Sequence, residues 1–441
     1  MGRTQRKRKH RKPRTFQACN DRKEIILLNT WLAERGVIRN KNLALAVFQD
    51  TGRGVITTGK ISSGDELLNL PLNVTINVTS ILSDVVFCNI FLENDKQCLL
   101  EYQKMVSFQS LMAFYLTYLK IQGTESFWCI YIESLPKEYT VPYFLPKMSR
   151  NYIDGNILTA INKQEAIITK SYDIFVDILN SNKSNISTIL KLRDNFCLSS
   201  YEWAYFTINT RCVYMDLTKL IDLKNVKTSI LNILSDNTNI SLCPYLDMIN
   251  HSPSAKNVTK LIVGKNVKNI ICLENIDPEL FSDVRFSIYT KNNFDPYNEV
   301  FICYGDSHNL KLITEYGFYL PNNDLDCVAF SFHSVTVFLK LNSIKLSQDQ
   351  LSFIDNHGLN KDLYIDCRGL SFNFCALLMV VKYYYDNSVD VSRLIYSAAV
   401  CATDKILYEF IRPMVRDKLD YIRESLIKLR TSQSHLFVFK N

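Results

Sequence analysis

Apolar residues recur at helical spacing from Lys23 to Arg35, and Gly36 supplies the stop that commonly follows a helix. From Leu43 the period shortens. Leu43–Phe48, Gly54–Thr57 and Glu66–Leu70 read as strands, punctuated by Thr51-Gly52-Arg53-Gly54 and Ser62-Ser63-Gly64-Asp65. Residues 107–121 return to an amphipathic helical pattern closed by Gly123, and a Trp- and Pro-rich connection follows from Phe127 to Pro146. Residues 151–209 are mostly helical with a loop near 179–190. Within them Ser199-Ser200-Tyr201-Glu202 predicts a capping box for a helix carrying Trp203, Phe206 and Arg211. The Asn-rich residues 222–240 predict another loop.

Strand patterns return at Asn257–Val263, Asn269–Leu273, Val284–Thr290 and Glu299–Tyr304. Short β segments therefore flank a long helical block, which is the pattern of a helical insertion in a β domain. From about 331 onward the chain reads as helical. Ser347-Gln348-Asp349-Gln350 is a capping box, His357-Gly358 ends that helix, and Leu370–Tyr385 and Val391–Val415 are apolar-periodic helices. The predicted fold class is α+β. A basic disordered tail (1–22) precedes a β-rich domain (23–320, helical insertion at about 100–240), and an all-α C-terminal domain (331–441) follows.

Composition changes this picture in three places. At 441 residues, with 47% hydrophobic and 22% charged positions, the chain can fill more than one core. No apolar run reaches the roughly 18 to 20 residues of a membrane span, so no membrane partner is expected. The basic N-terminus lacks the apolar core of a signal peptide, so secretion is not expected, and the acceptor-like Asn73-Val-Thr75 and Asn77-Val-Thr79 read as ordinary strand sequence.

The formal net charge is +7, yet residues 1–14 alone hold eight Lys or Arg and no acid. Without that tail the body is nearly neutral, at −1. Such a run fits a nuclear address, a nucleic-acid arm or a solvated tail. The thirteen cysteines are scattered without a C-x-x-C pair, which points to reduced thiols and gives no support for a metal site.

The candidate chemistry lies in four stretches. In Cys243-Pro-Tyr-Leu-Asp-Met-Ile-Asn-His-Ser-Pro253 the three- to four-residue step from Asp247 to Asn250 and His251 predicts one helical turn with all three on one face, cut off by Pro253. Taken alone this is equally a capped turn with an internally bonded imidazole. Thr51-Gly52-Arg53-Gly54 is a tight turn whose glycines allow close approach to the backbone. Phe301-Ile-Cys-Tyr304-Gly305 is an apolar strand with a tyrosine at its rim, and Asp306–Gly317 is a short helix with Tyr316 and Phe318 beside its glycine stop.

In order and spacing, these motifs resemble the SET-domain methyltransferases. They comprise Gly-x-Gly in an early hairpin, a helical insertion, Asp247-x-x-Asn250-His251-Ser252, Glu299-Val-Phe-Ile-x-Tyr304-Gly305 and Glu315-Tyr-Gly-Phe318. The group is the one with a split SET domain and a C-terminal helical substrate-binding domain, like the plant Rubisco large-subunit lysine methyltransferase. The resemblance implies a pseudoknot that brings the Asn250-His251 turn against the Tyr304 strand, an exception to the usual unthreaded chain.

It further implies S-adenosylmethionine as cofactor, lying on Thr51, Gly52, Arg53 and Gly54, with Arg211 helping to hold its carboxylate. Asn250 and His251 would contact it through main chain, Tyr316, Gly317 and Phe318 would wall its purine, and Asp247 and Arg211 would border the substrate channel. Tyr304 would stand nearest the chemistry. Two departures are visible: Thr51 replaces an acid of the plant enzymes, and Tyr297-Asn298 replaces the usual Gly-Glu.

The implied activity is protein-lysine N-methylation on histone and non-histone proteins. A protein-histidine methyltransferase and a catalytically inactive SET-fold nuclear binding module are the alternatives. The expected setting is nucleus and cytoplasm, as a monomer, with nucleic acid contacted only through the basic tail.

Overall fold

The computed structural model describes residues 16–19, 22–92, 96–218, 220, 221, 223, 228–264, 281, 283–396 and 405–438. Residues 1–15 of the expected tail and the strand expected over 269–273 lie outside the described residues. The end of the expected tail is not tail: Phe16–Ala18 form a strand, because backbone pairing of Phe16 with Phe48 and of Ala18 with Ala46 places them at the edge of a sheet. The chain divides into two compact units, residues 1–139 with 166–305, and residues 140–165 with 306–441.

In the first unit the strands are β1 (Phe16–Ala18), β2 (Ile38–Arg39), β3 (Leu43–Phe48), β4 (Gly52–Thr57), β5 (Glu66–Pro71), β6 (Cys212–Tyr214), β7 (Ile240–Leu242), β8 (Asn250–His251), β9 (Asn257–Val263), β10 (Val284–Thr290) and β11 (Glu299–Ile302). They form sheets in the orders β1-β3-β4-β11-β8, β2-β5-β10-β9 and β6-β7. The β3–β4 hairpin pairs from Leu43↔Thr57 to Phe48↔Gly52. It turns at Gly52, whose φ of +71° is open to glycine at little cost. The strand placed last in sequence, β11, lies between β4 and β8 and is antiparallel to the first and parallel to the second. That insertion is the juxtaposition the resemblance implies, and it positions the site.

The helical insertion packs on aromatic rings. Helix Phe108–Gln122 is capped by Ser107, whose side chain accepts from the Ser110 amide, and it ends at Gly123 with φ +65°. Its Phe114 stacks on Phe175 with centroids 4.2 Å apart and planes 8° from parallel. Helix Leu198–Arg211 delivers Arg211 from its last turn. It starts earlier than the expected capping box. Cys197 holds the cap position without a side-chain cap bond, and Ser200 Oγ donates back to the Cys197 carbonyl. Asn77 is likewise not strand sequence. It is buried, its side chain caps helix Val78–Ser83, and Leu72–Val74 form a 3-10 turn.

In the second unit helices Phe332–Leu341, Gln348–Asn356, Phe372–Tyr383, Val391–Tyr396 and Lys405–Val438 follow the expected helical pattern. Val335, Leu339, Ile354, Phe374, Leu377 and Leu378 form its core. The Ser347/Gln350 capping box is formed in both directions. A short sheet of β12 (Cys327–Ala329), β13 (Tyr364–Asp366) and β14 (Gly369–Leu370) accompanies these helices. Strands so short show no period-two pattern in sequence. No helix among the described residues is long and apolar enough to cross a membrane.

Candidate active site

The turn from Cys243 to Pro253 departs from the expected helical geometry. Leu246–Met248 make one 3-10 turn after Tyr245, whose φ is +70°, and the chain is extended again by Asn250. Sheet pairing decides this. Asn250 and His251 are held opposite Phe301 and Ile302 of β11, and neighbouring residues of a strand point to opposite faces. Asp247, Asn250 and His251 therefore do not share one face; each anchors a different part of the site.

Asp247 is the centre of a buried polar cluster. Its Oδ2 accepts from Arg211 Nη1 at 2.8 Å and from the Tyr131 hydroxyl at 3.1 Å, while Arg211 Nη1 also reaches the Asp247 carbonyl at 2.9 Å. Burial is the largest influence on Arg211 and works against its charge, but the Asp247 carboxylate together with Tyr139 and Tyr131 outweighs it and raises the guanidinium pKa. Arg53 joins the cluster and donates Nη1 to the Ser134 carbonyl at 2.7 Å. Burial, then the nearby Arg211 charge, lower its pKa, with Asp247 opposing them. Two guanidinium groups thus share one carboxylate. Arg53 Nη2, Arg211 Nε and Asp247 Oδ1 are buried without a hydrogen-bond partner. Such orphaned groups are costly in an interior, and they mark where a polar ligand fits.

Asn250 and Glu299 form the second anchor. Asn250 Nδ2 donates to Glu299 Oε1 at 2.8 Å and lies 3.3 Å from the Arg53 carbonyl. Thr51 Oγ1 donates to the same carboxylate at 2.8 Å. These side chains close over Gly54, where a Cβ would come within 2.6 Å of Asn250 Nδ2 and 2.7 Å of Glu299 Oε1. The glycine that sequence reading assigned to ligand approach is thus also required by the protein's own packing. Burial raises the Glu299 pKa, and the bonds from Asn250 and Thr51 oppose that rise. Glu299 was not singled out as a site residue. Its signal was a lone carboxylate opening the apolar run Glu-Val-Phe-Ile. Tyr131, within the Trp-rich connection, carried no signal.

His251 and Tyr304 form the third anchor. The Tyr304 amide donates to His251 Nδ1 at 3.0 Å, and the two rings lie 5.1 Å apart. The Tyr304 hydroxyl donates to the Ile249 carbonyl at 2.7 Å. Burial lowers the His251 pKa. Neutral imidazole is the form that accepts at Nδ1.

Tyr316, Gly317 and Phe318 belong to the second unit. There Gly317 has φ +80°, ends a π turn over Leu312–Tyr316, and accepts at its carbonyl from Thr140 Oγ1 at 3.1 Å. A Cβ on Gly317 would meet Thr140 Oγ1 at 2.5 Å.

No protein-family model matches the chain. It is 26% identical over 388 residues to SET domain-containing protein 4 of Mus musculus, covering 86% of this chain and 78% of that protein. Over 347 residues it is 22% identical to the ribosomal lysine N-methyltransferase set11 of Schizosaccharomyces pombe, covering 78% and 71%. Over 319 residues it is 26% identical to the actin-histidine N-methyltransferase of Drosophila melanogaster, covering 69% and 50%. Among solved structures, the SET domain of LSMT bound to lysine and AdoHcy superposes with a TM-score of 0.54 at 18% identity, covering 86% of this chain and 74% of that one. Rubisco LSMT bound to AdoMet gives 0.51 at 18% identity, with the same coverage. The chain thus has the SET-domain methyltransferase fold and is similar along most of its length to SET domain-containing protein 4.

Proposed function

We propose that this chain is an S-adenosylmethionine-dependent protein-lysine N-methyltransferase. The observation that carries the reading is the Tyr304–Ile249 hydrogen bond, which fixes a phenol oxygen between the β8 turn and the β11 strand. The cofactor has a carboxylate and an ammonium at one end. The unpartnered donors Arg53 Nη2 and Arg211 Nε, and the unpartnered acceptor Asp247 Oδ1, suit those two charges. The backbone of Thr51–Gly54, together with Arg53, Arg211, Asp247, Asn250, His251 and Tyr304, would hold it.

When bound, the cofactor supplies a methyl group already activated by its sulfonium. The Tyr304 hydroxyl donates its hydrogen bond to the Ile249 carbonyl, so the phenol oxygen keeps lone pairs that can polarise C–H bonds and orient an incoming amine. A lysine, with an ordinary pKa near 10.4, must lose its proton first, and an apolar approach lowers that value by desolvating the charge. Asp247 and Arg211, their opposite charges paired with each other, would border that approach.

Protein-histidine methylation is the second reading, favoured by the similarity to the fly actin-histidine enzyme. An imidazole is largely neutral near pH 7 and needs no such desolvation. Labelled S-adenosylmethionine, a proteome extract and acid hydrolysis separate the two by yielding methyllysine or methylhistidine. No bound cofactor and no label transfer would leave the inactive binding module. The proposal includes access to nucleus and cytoplasm and histones among the substrates; the run of eight Lys or Arg in residues 1–14 supports the nuclear part alone. Deleting residues 1–14 without any change in nuclear distribution would reject the tail as an address.

A further inference from the structure

We propose that a second cavity in the first unit, separate from the residues assigned to methyl transfer, binds a methylated ammonium group. The cavity has a volume of about 140 Å³, and Asp84, Ser80, Tyr115, Phe127, Trp128 and Phe281 are among its lining residues. A cavity of about 150 Å³ takes a benzene-sized guest, so this one suits the four or five heavy atoms of a methylated ammonium head. Phe127 and Trp128 stand with centroids 5.1 Å apart and planes at 87°, giving two walls at right angles. Aromatic faces attract cations, and methylated ammonium groups are the ligands such walls commonly hold.

Asp84 supplies the charge. Its Oδ1 accepts from the Phe87 amide at 2.9 Å, capping helix Val85–Leu92, and its Oδ2 has the Tyr115 hydroxyl at 3.3 Å. The Val86 amide and the Tyr118 hydroxyl bond it as well; all four donors are neutral, and among the described residues no cation pairs with this carboxylate. Burial raises its pKa, the mark of a carboxylate held without a countercharge. An anion would be repelled by Asp84 and by the ring faces, and an apolar guest would leave the carboxylate uncompensated. A bare ammonium suits the charge but surrenders more hydration in so small a space than a methylated one does. The Arg35 guanidinium carbon lies 4.7 Å from the Phe127 centroid, so this ring already attracts a cation.

Binding here is independent of methyl transfer and is read directly. The full-length protein is titrated by calorimetry with Nε-trimethyllysine, with lysine, and with a peptide containing trimethyllysine. Saturable binding of trimethyllysine is expected, with lysine about ten-fold weaker or more. Tighter binding of the peptide assigns the ligand to a protein side chain, and equal binding assigns it to a free small molecule; either agrees with the site. Asp84→Asn keeps a good helix cap while removing the charge, so the thermal midpoint should stay put while affinity falls about ten-fold. Phe127→Ala, at a half-exposed ring, should weaken binding as well. No saturable binding by the unaltered protein, equal affinity for lysine, or an Asp84→Asn variant that binds as before would each overturn the proposal.

Discussion

The Tyr304 hydroxyl donates to the Ile249 carbonyl at 2.7 Å, joining residues 55 positions apart. The bond exists because β11 enters the sheet beside β8, and it aims the phenol oxygen without ionising it. Tyr304→Phe removes the oxygen and leaves the ring against His251. Transfer should fall about 100-fold, the usual cost of losing one well-placed polar group. Cofactor affinity, measured by calorimetry, should stay within about three-fold. Equal losses in both would assign Tyr304 to binding.

Among the described residues Asp247 is the carboxylate that acts on both the Arg53 and the Arg211 guanidinium groups, and its side chain is fully buried. Asp247→Ala leaves two buried cations facing each other, so unfolding free energy should drop by about 3 to 5 kcal/mol. Urea titration measures it. A drop below about 1 kcal/mol would place the pair among exposed, screened contacts.

His251 accepts from the Tyr304 amide at Nδ1, and burial holds its pKa below the ordinary 6.5. A pKa lower in the folded state than in the unfolded chain means that the unfolded chain binds more protons over that range. The stabilisation is therefore complete above about pH 6.5 and is lost as pH falls through the lowered value. Between about pH 7 and pH 5 the unaltered protein should lose more stability than His251→Gln, whose side chain does not titrate there. Parallel pH profiles would contradict the assignment.

Gly54→Ala puts a methyl group against Asn250 Nδ2 and Glu299 Oε1. The ends of both side chains must shift, breaking the Thr51–Glu299–Asn250 network under the hairpin backbone. Cofactor affinity should fall about ten-fold or more, while stability drops by only about 1 to 3 kcal/mol. Unchanged affinity would detach this hairpin from the cofactor.

Much of the fold was legible because its signals are local. Gly36, Gly123 and Gly317 stop helices with positive φ, and Ser347-x-x-Gln350 caps one in both directions. The strand from Val284 to Thr290 shows its period in the letters, and Leu43–Phe48 shows as a short unbroken apolar run bounded by turn residues. The turn at Asp247 failed as a local reading because a parallel strand from 51 positions away, Phe301 opposite Asn250, fixes its backbone. Ser199 failed as a helix cap because Cys197 begins the helix earlier. Tyr131 and Glu299 were invisible for a related reason. Their roles depend on partners at Asp247 and Thr51, which the fold brings together over 116 and 248 positions.

The most direct test is to incubate the purified protein with labelled S-adenosylmethionine and a proteome extract, then identify the labelled residue by mass spectrometry, with Tyr304→Phe as the control. Methyllysine on a protein, lost in Tyr304→Phe, is the predicted result. Label on no protein at all, from a chain that nonetheless binds the cofactor, would contradict it.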